Sequence, residues 1–138
     1  MKICKFLYSI IIIFITINTC AQKSKAESIE NGSIIYQDFC IRCHGVDGNG
    51  NEGLIPPLKS SDYLLNNIHL SIAGLKYGLK GEITVNGSIY NGYMANQNLQ
   101  DQEIADVMNY ILNEWGNDTE DFITSELVNK ITKSILEK

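Results

Sequence analysis

One pentapeptide, Cys40-Ile41-Arg42-Cys43-His44, constrains this chain more than any other stretch. Two thiols three positions apart, with an imidazole directly after the second, form the attachment pattern for a c-type haem. That chemistry uses every fixed position. Each thiol adds its S–H across one vinyl group of the porphyrin, the short spacer keeps both sulfurs at one porphyrin edge, and the histidine is placed to ligate the iron from that side. Two other uses of Cys-x-x-Cys compete. A zinc site needs a further pair of Cys or His ligands, and the chain has one other histidine, His69. A thioredoxin-like redox pair needs a βαβ setting, which does not surround this motif.

The chain has 138 residues, enough for one domain with a thin core, to which a covalently held haem would add a large apolar body. Residues 1–21 read as an export leader. Lys2 and Lys5 precede an apolar run from Phe6 to Ile17 that has the length of a signal core and is short for a membrane span; the competing reading is an uncleaved anchor. Cleavage after Ala21 would free a soluble periplasmic protein. Lipidation of Cys20, within Ile17-Asn18-Thr19-Cys20, would instead tether it to a membrane surface. With Cys4 and Cys20 in the leader, the mature domain has no thiol beyond Cys40 and Cys43, which suits an oxidising compartment. Residues 22–30 are polar and read as a linker. The formal charge of −5 becomes −7 once Lys2 and Lys5 leave with the leader. This acidity argues against nucleic acid as a partner and predicts a basic docking face on a protein partner.

Beyond the leader the pattern is helical with glycine-rich interruptions. Asn31-Gly32-Ser33 offers a helix start, and Ile35 and Phe39 share one face of the segment that delivers the motif. Gly45 to Gly53 holds four glycines in nine residues and reads as a tight loop; its Asp47, Asn49 and Glu52 do not complete a calcium-binding loop. Pro56 and Pro57 fix an extended stretch. Ser60 or Ser61 caps a following helix, and Ile68, Ile72 and Leu75 mark an amphipathic segment ending at Gly78 and Gly81. Gly81 to Leu99, which contains Met94, reads as a loop. From Asp101 a helix with Ile104, Val107, Met108, Ile111 and Trp115 on one stripe runs to Gly116-Asn117, with Asp106, Asn109 and Asn113 off the stripe. A last helix follows Thr124 or Ser125, with Leu127, Val128, Ile131 and Ile135 on its apolar face. It packs on the domain or binds a partner. Candidate sixth ligands to the iron are Met94, Met108, His69 and a lysine; Met108 on its apolar stripe also reads as core.

In this order the pieces resemble a class I monohaem cytochrome c domain over about residues 31–116. The resemblance rests on Gly32-x-x-Ile35-Tyr36, Cys40-Ile41-Arg42-Cys43-His44-Gly45, Pro56-Pro57-Leu58, Gly78 through Gly87, Tyr90-Asn91-Gly92-Tyr93-Met94, and Leu99 through Ile111. The stretch through Gly87 and Met94 is similar to haem domains that accompany periplasmic dehydrogenases, oxidases and nitrite reductases. The resemblance implies an all-α fold, short helices and loops wrapped around one haem c held by Cys40 and Cys43, with His44 and Met94 as iron ligands. It also implies that the helix carrying Tyr36 crosses the helix carrying Tyr110, with Gly32 at the contact. Residues 117–138 would be a helical extension beyond the family domain. Three positions depart from the family pattern: Ala95 stands where a proline usually follows the ligand, Gln100 stands at a usual Ser or Thr cap, and Asn96 and Asn98 replace a commonly aromatic or glycine stretch.

A His/Met-ligated iron has no open position, so the expected function is electron carriage between redox proteins rather than enzymatic turnover. One alternative is a small-ligand-binding or peroxidase-like haem protein with a displaceable sixth ligand. Another is a haem subunit docked on a larger oxidoreductase through residues 122–138.

Overall fold

The computed structural model describes residues 23–137. The leader, with its alternatives of cleavage, lipidated Cys20 and anchor, lies outside the described residues. Helix α1 spans Lys25–Phe39 and is capped by Ser24, whose hydroxyl accepts from the Glu27 N–H. The polar stretch expected to be a linker at 22–30 is therefore helical from Lys25. It lacks an apolar stripe because the face it buries is made of Ser28, Gly32 and Tyr36, four residues apart. A single turn, α2 (Ile41–His44), follows directly. After the glycine loop come α3 (Asp62–Asn66), capped by Ser61, and α4 (Ile68–Tyr77). Ile72 and Leu75 of α4 are buried, and Gly78 ends the helix at φ +83°.

Residues 81–99 are not simply a loop, and the fold is not strictly all-α. Strands β1 (Leu79–Val85) and β2 (Ser88–Met94) form an antiparallel hairpin with Leu79 opposite Met94 and Val85 opposite Ser88. Asn86 and Gly87 both adopt positive φ, as a two-residue hairpin turn requires. Asp62 pins the turn: its carboxylate accepts from the Asn86 N–H at 2.7 Å, and the Asn86 side chain accepts from the Asp62 N–H at 3.0 Å. Register places Leu79, Ile83, Val85, Tyr90 and Met94 on one face, turned toward the protein interior.

Helix α5 (Asp101–Ile111) is the central element. The Gln100 N–H donates to Glu103 Oε2 at 2.7 Å, so the start is secured without a Ser or Thr cap. The helix ends at Ile111 rather than at Gly116-Asn117, and Trp115 lies past it with φ +53°. Asp106 and Asn109, expected off the apolar stripe, are 3% and 0% exposed. They face α1. Asp106 accepts from Ser28 Oγ and Lys23 Nζ, each at 2.6 Å, and Asn109 donates to Ser28 Oγ at 2.9 Å. At this crossing Gly32 lies against the Asp106 carbonyl and Tyr110 so tightly that a Cβ there would overlap the backbone. The crossing implied by the family resemblance is thus present.

The chain then wraps back. Asn117, buried beyond α5, accepts from the Ser60 N–H and donates to the carbonyls of Leu58 and Ile111. Helix α6 (Ser125–Lys130) is capped by Thr124, and a 3-10 turn spans Lys133–Glu137. Val128 and Ile131 are buried against α4 and α5, so the C-terminal extension packs on its own domain.

Candidate functional site: an apolar cleft between the cysteine motif and Met94

Cys40 is the C-cap of α1 and the entry to α2, so one helical turn carries both thiols and the imidazole. The Cys43 and His44 N–H groups both donate to the Cys40 carbonyl. The thiols are free and, at i and i+3, share a face. Burial, and secondarily the charge of Cys43, pushes the Cys40 thiol up to about 11. Burial also pulls the His44 pKa down, against the bond it makes to a carbonyl, keeping the imidazole neutral as ligation requires.

The His44 ring is oriented by the glycine loop. Its Nδ1 lies 3.2 Å from the Pro56 carbonyl, which fixes the tautomer and leaves Nε2 with its lone pair. Gly50, at φ +67°, packs so close to the Ile55 and Pro56 backbone that no side chain would fit. The Asn51–Ile55 bridge and bonds from the Leu58 and Lys59 N–H groups to the Gly48 carbonyl complete the handle that presents Pro56. On the other side, the Tyr36 hydroxyl donates to the Gly45 carbonyl at 2.7 Å. Tyr36, Tyr110 and Trp115 pack with ring centroids 5.0–5.6 Å apart behind the motif, and Trp115 donates to the Val46 carbonyl.

In front of the motif lies a cleft with two lobes, about 160 and 340 Å³, that share Cys43, His44, Pro56, Leu79, Ile83, Met94 and Gln97 in their walls. Cys40 and Val107, Met108 and Ile111 of α5 close the inner lobe; Leu54, Tyr90 and Tyr93 line the outer one. Among the described residues no Asp, Glu, Lys or Arg lines either lobe. Two thiols and a neutral, tautomer-fixed imidazole on one wall of an apolar cleft suit a porphyrin that is bonded at its edge and ligated from one side. A cytochrome c family model matches residues 29–115. The chain belongs to the cytochrome c family.

It is 39% identical over 98 residues to cytochrome c-552 of Thermus thermophilus, an alignment covering 62% of this chain and 69% of that one. It is also 28% identical over 116 residues to the gluconate 2-dehydrogenase cytochrome c subunit of Pantoea cypripedii, covering 79% of this chain and 25% of that subunit. The alcohol dehydrogenase (quinone) cytochrome c subunit of Gluconobacter oxydans is 26% identical, covering 82% of this chain and 24% of that subunit. The chain thus spans about a quarter of the length of these two subunits.

As a family member this cytochrome binds covalent haem c through its cysteines, Cys40 and Cys43. Of the sixth-ligand candidates, Met94 lies at the last position of β2 and lines both lobes. Met108 also lines the inner lobe, but from the packed interior of α5. His69 is exposed in the first turn of α4 and lines neither. Gln97 is a wall residue that no sequence motif marks. Its Nε2 donates to the Ala95 carbonyl, and Asn96 Oδ1 accepts from the Asn98 N–H, so side chains order the turn after Met94 where the family usually has proline.

Proposed function

We propose that this cytochrome is a one-electron carrier whose haem iron is ligated by His44 and Met94. The observation that carries this reading is the cleft itself: the attachment motif and Met94 share the walls of both lobes, and no charged side chain joins them. Bound there, the haem supplies an iron that changes charge by one electron. The residues of this chain supply the rest. His44, held by Pro56, offers a neutral nitrogen, Met94 offers a thioether that needs no deprotonation, and the apolar wall excludes water and so favours the less charged redox state. A peroxidase-like reading would need an acid–base pair near the iron, and among the described residues no second histidine, carboxylate or arginine lines either lobe.

The test is carbon monoxide added to the reduced protein. The wild type should bind it poorly, and Met94→Ala should bind it readily and show a lower reduction potential, whereas Met108→Leu and His69→Ala should resemble the wild type. Unchanged spectrum and potential in Met94→Ala would refute the assignment.

We further propose that the chain is exported to the periplasm and exchanges electrons with a dehydrogenase, oxidase or reductase, the first class supported by the two dehydrogenase cytochrome subunits it resembles. The leader is then removed, leaving Gln22 or a lipidated Cys20 at the mature terminus. Among the described residues no helix is long and apolar enough to cross a membrane. An intact Met1 in the mass spectrum of native protein would exclude both forms.

A further inference from the structure

The C-terminal extension lies outside the matched family region, yet its hydrogen bonds converge on the two ends of the segment that bears Met94. That segment leaves α4 at Lys76 and Tyr77 and re-enters helix at Asp101. Lys76 Nζ donates to the Val128 carbonyl at 2.8 Å and pairs with Asp101 Oδ1 at 2.9 Å. Asn129 Nδ2 donates to the other Asp101 oxygen at 2.9 Å. The Tyr77 hydroxyl donates to the Ile131 carbonyl at 2.8 Å. Both ends of the hairpin-and-turn unit are thus fastened to a few residues of one short stretch. That stretch is itself anchored by buried Val128 and Ile131, and by Ile123, whose backbone exchanges two hydrogen bonds with the Asn109 side chain.

The fastening reaches Met94 through Gly78. A Cβ built on Gly78 would stand 3.1 Å from the Met94 carbonyl and 3.2 Å from the Asn96 N, so the residue after Tyr77 is packed against the backbone of the ligand turn. Met94 cannot swing out of the cleft as a rigid turn without disturbing that contact, and Tyr77 and Lys76 hold Gly78 in place.

We propose that residues 123–131 are a strap that positions the sixth ligand, with Tyr77, Lys76 and Asp101 as positioning residues that set how often Met94 leaves the iron. This rests on the Met94 assignment above. An external ligand that binds only when Met94 is displaced reports the open fraction directly, since its apparent affinity scales with the population able to bind. Removing one strap hydrogen bond should raise that fraction about fivefold, the factor corresponding to one net hydrogen bond.

The experiment titrates imidazole into the ferric full-length holoprotein and follows the haem spectrum. Tyr77→Phe should bind imidazole about fivefold more tightly than wild type and Lys76→Met by a similar factor or more, both keeping the wild-type resting spectrum. Ser28→Ala, at the α1–α5 crossing, is the control for general destabilisation. It should lower the unfolding midpoint at least as much and leave imidazole affinity unchanged. Equal imidazole affinity in the wild type and both strap variants, or an equal gain in Ser28→Ala, would overturn the strap. Met94→Ala separates the two readings. If it alone leaves imidazole affinity and spectrum unchanged, the ligand assignment fails and the strap fails with it; if it opens the site while the strap variants do not, only the strap fails.

Discussion

Gly32→Ala places a single methyl group at the tightest point of the fold, and its expected effect has a sign opposite to intuition about helices. In the middle of a fifteen-residue helix, alanine is favoured over glycine by about 1 kcal/mol. Here the added Cβ would overlap the Asp106 carbonyl oxygen and stand 2.6 Å from its carbon and 2.8 Å from Tyr110 Cβ. Two of these three atoms are α5 backbone, so no side-chain rotation relieves the clash and the helices must part. Overpacking of this kind costs typically about 1–3 kcal/mol, and a backbone obstacle belongs at or above the upper end. Against the propensity gain, a net loss of about 2 kcal/mol remains. Separation would also stretch the bonds from Ser28 to Asp106 and from Asn109 to Ser28, which adds to the loss. For a domain of this size that corresponds to a fall of roughly 6–12 °C in unfolding temperature. Thermal melts of the holoprotein, followed by far-ultraviolet circular dichroism and by haem absorbance, measure it. Gln37→Ala, on the exposed face of the same helix, should be close to neutral. A Gly32→Ala protein as stable as wild type, or more stable, would show that the α1–α5 contact is looser than described and refute the reasoning.

Asn117→Ala removes the acceptor of the Ser60 N–H and the donor to two carbonyls, and should cost about 3 kcal/mol in a denaturant titration if water cannot replace those bonds. Asp101 is held below the usual carboxylate range, first by the Asn129 side chain and then by Lys76. Its contribution is therefore complete above the unfolded-state pKa and disappears as pH falls through the lower native value, so Asp101→Asn should flatten the acid limb of stability while costing well under ~1 kcal/mol at neutral pH. If docking is steered by the acidic surface, the bimolecular rate with a redox partner should fall as salt rises, and a flat salt profile would remove a basic docking face from consideration.

The parts of this fold that are legible in the sequence are those fixed by local chemistry. Cys-x-x-Cys-His names its own cofactor, and Ser61 and Thr124 cap the helices that follow them because a side-chain oxygen needs only the next turn as partner. The β-hairpin was also signalled, by Asn86-Gly87 between alternating residues, but the surrounding glycines and asparagines make the same stretch read as a loop. Burial of Asp106 is different. Its partner Ser28 is 78 positions away, and a carboxylate facing a serine across a helix crossing has no local signature. The same holds for the start of α1, whose buried face is Ser28, Gly32 and Tyr36 rather than an apolar stripe. The shared cleft of His44 and Met94 is likewise invisible until the hairpin register brings Met94 back opposite Leu79.

Helix α1 is also a ruler. Its fifteen residues rise about 22 Å along the axis, with Lys23 and Lys25 tied to Asp106 and Thr119 at one pole and Cys40 hanging from the other. Whatever grips the chain upstream of Lys23 grips it by the pole remote from the cleft. An anchored form would therefore be held from the Lys23 end of α1, a helix length from the cysteine that bears the redox centre, so that part of the protein's reach toward a partner is built into a rigid element.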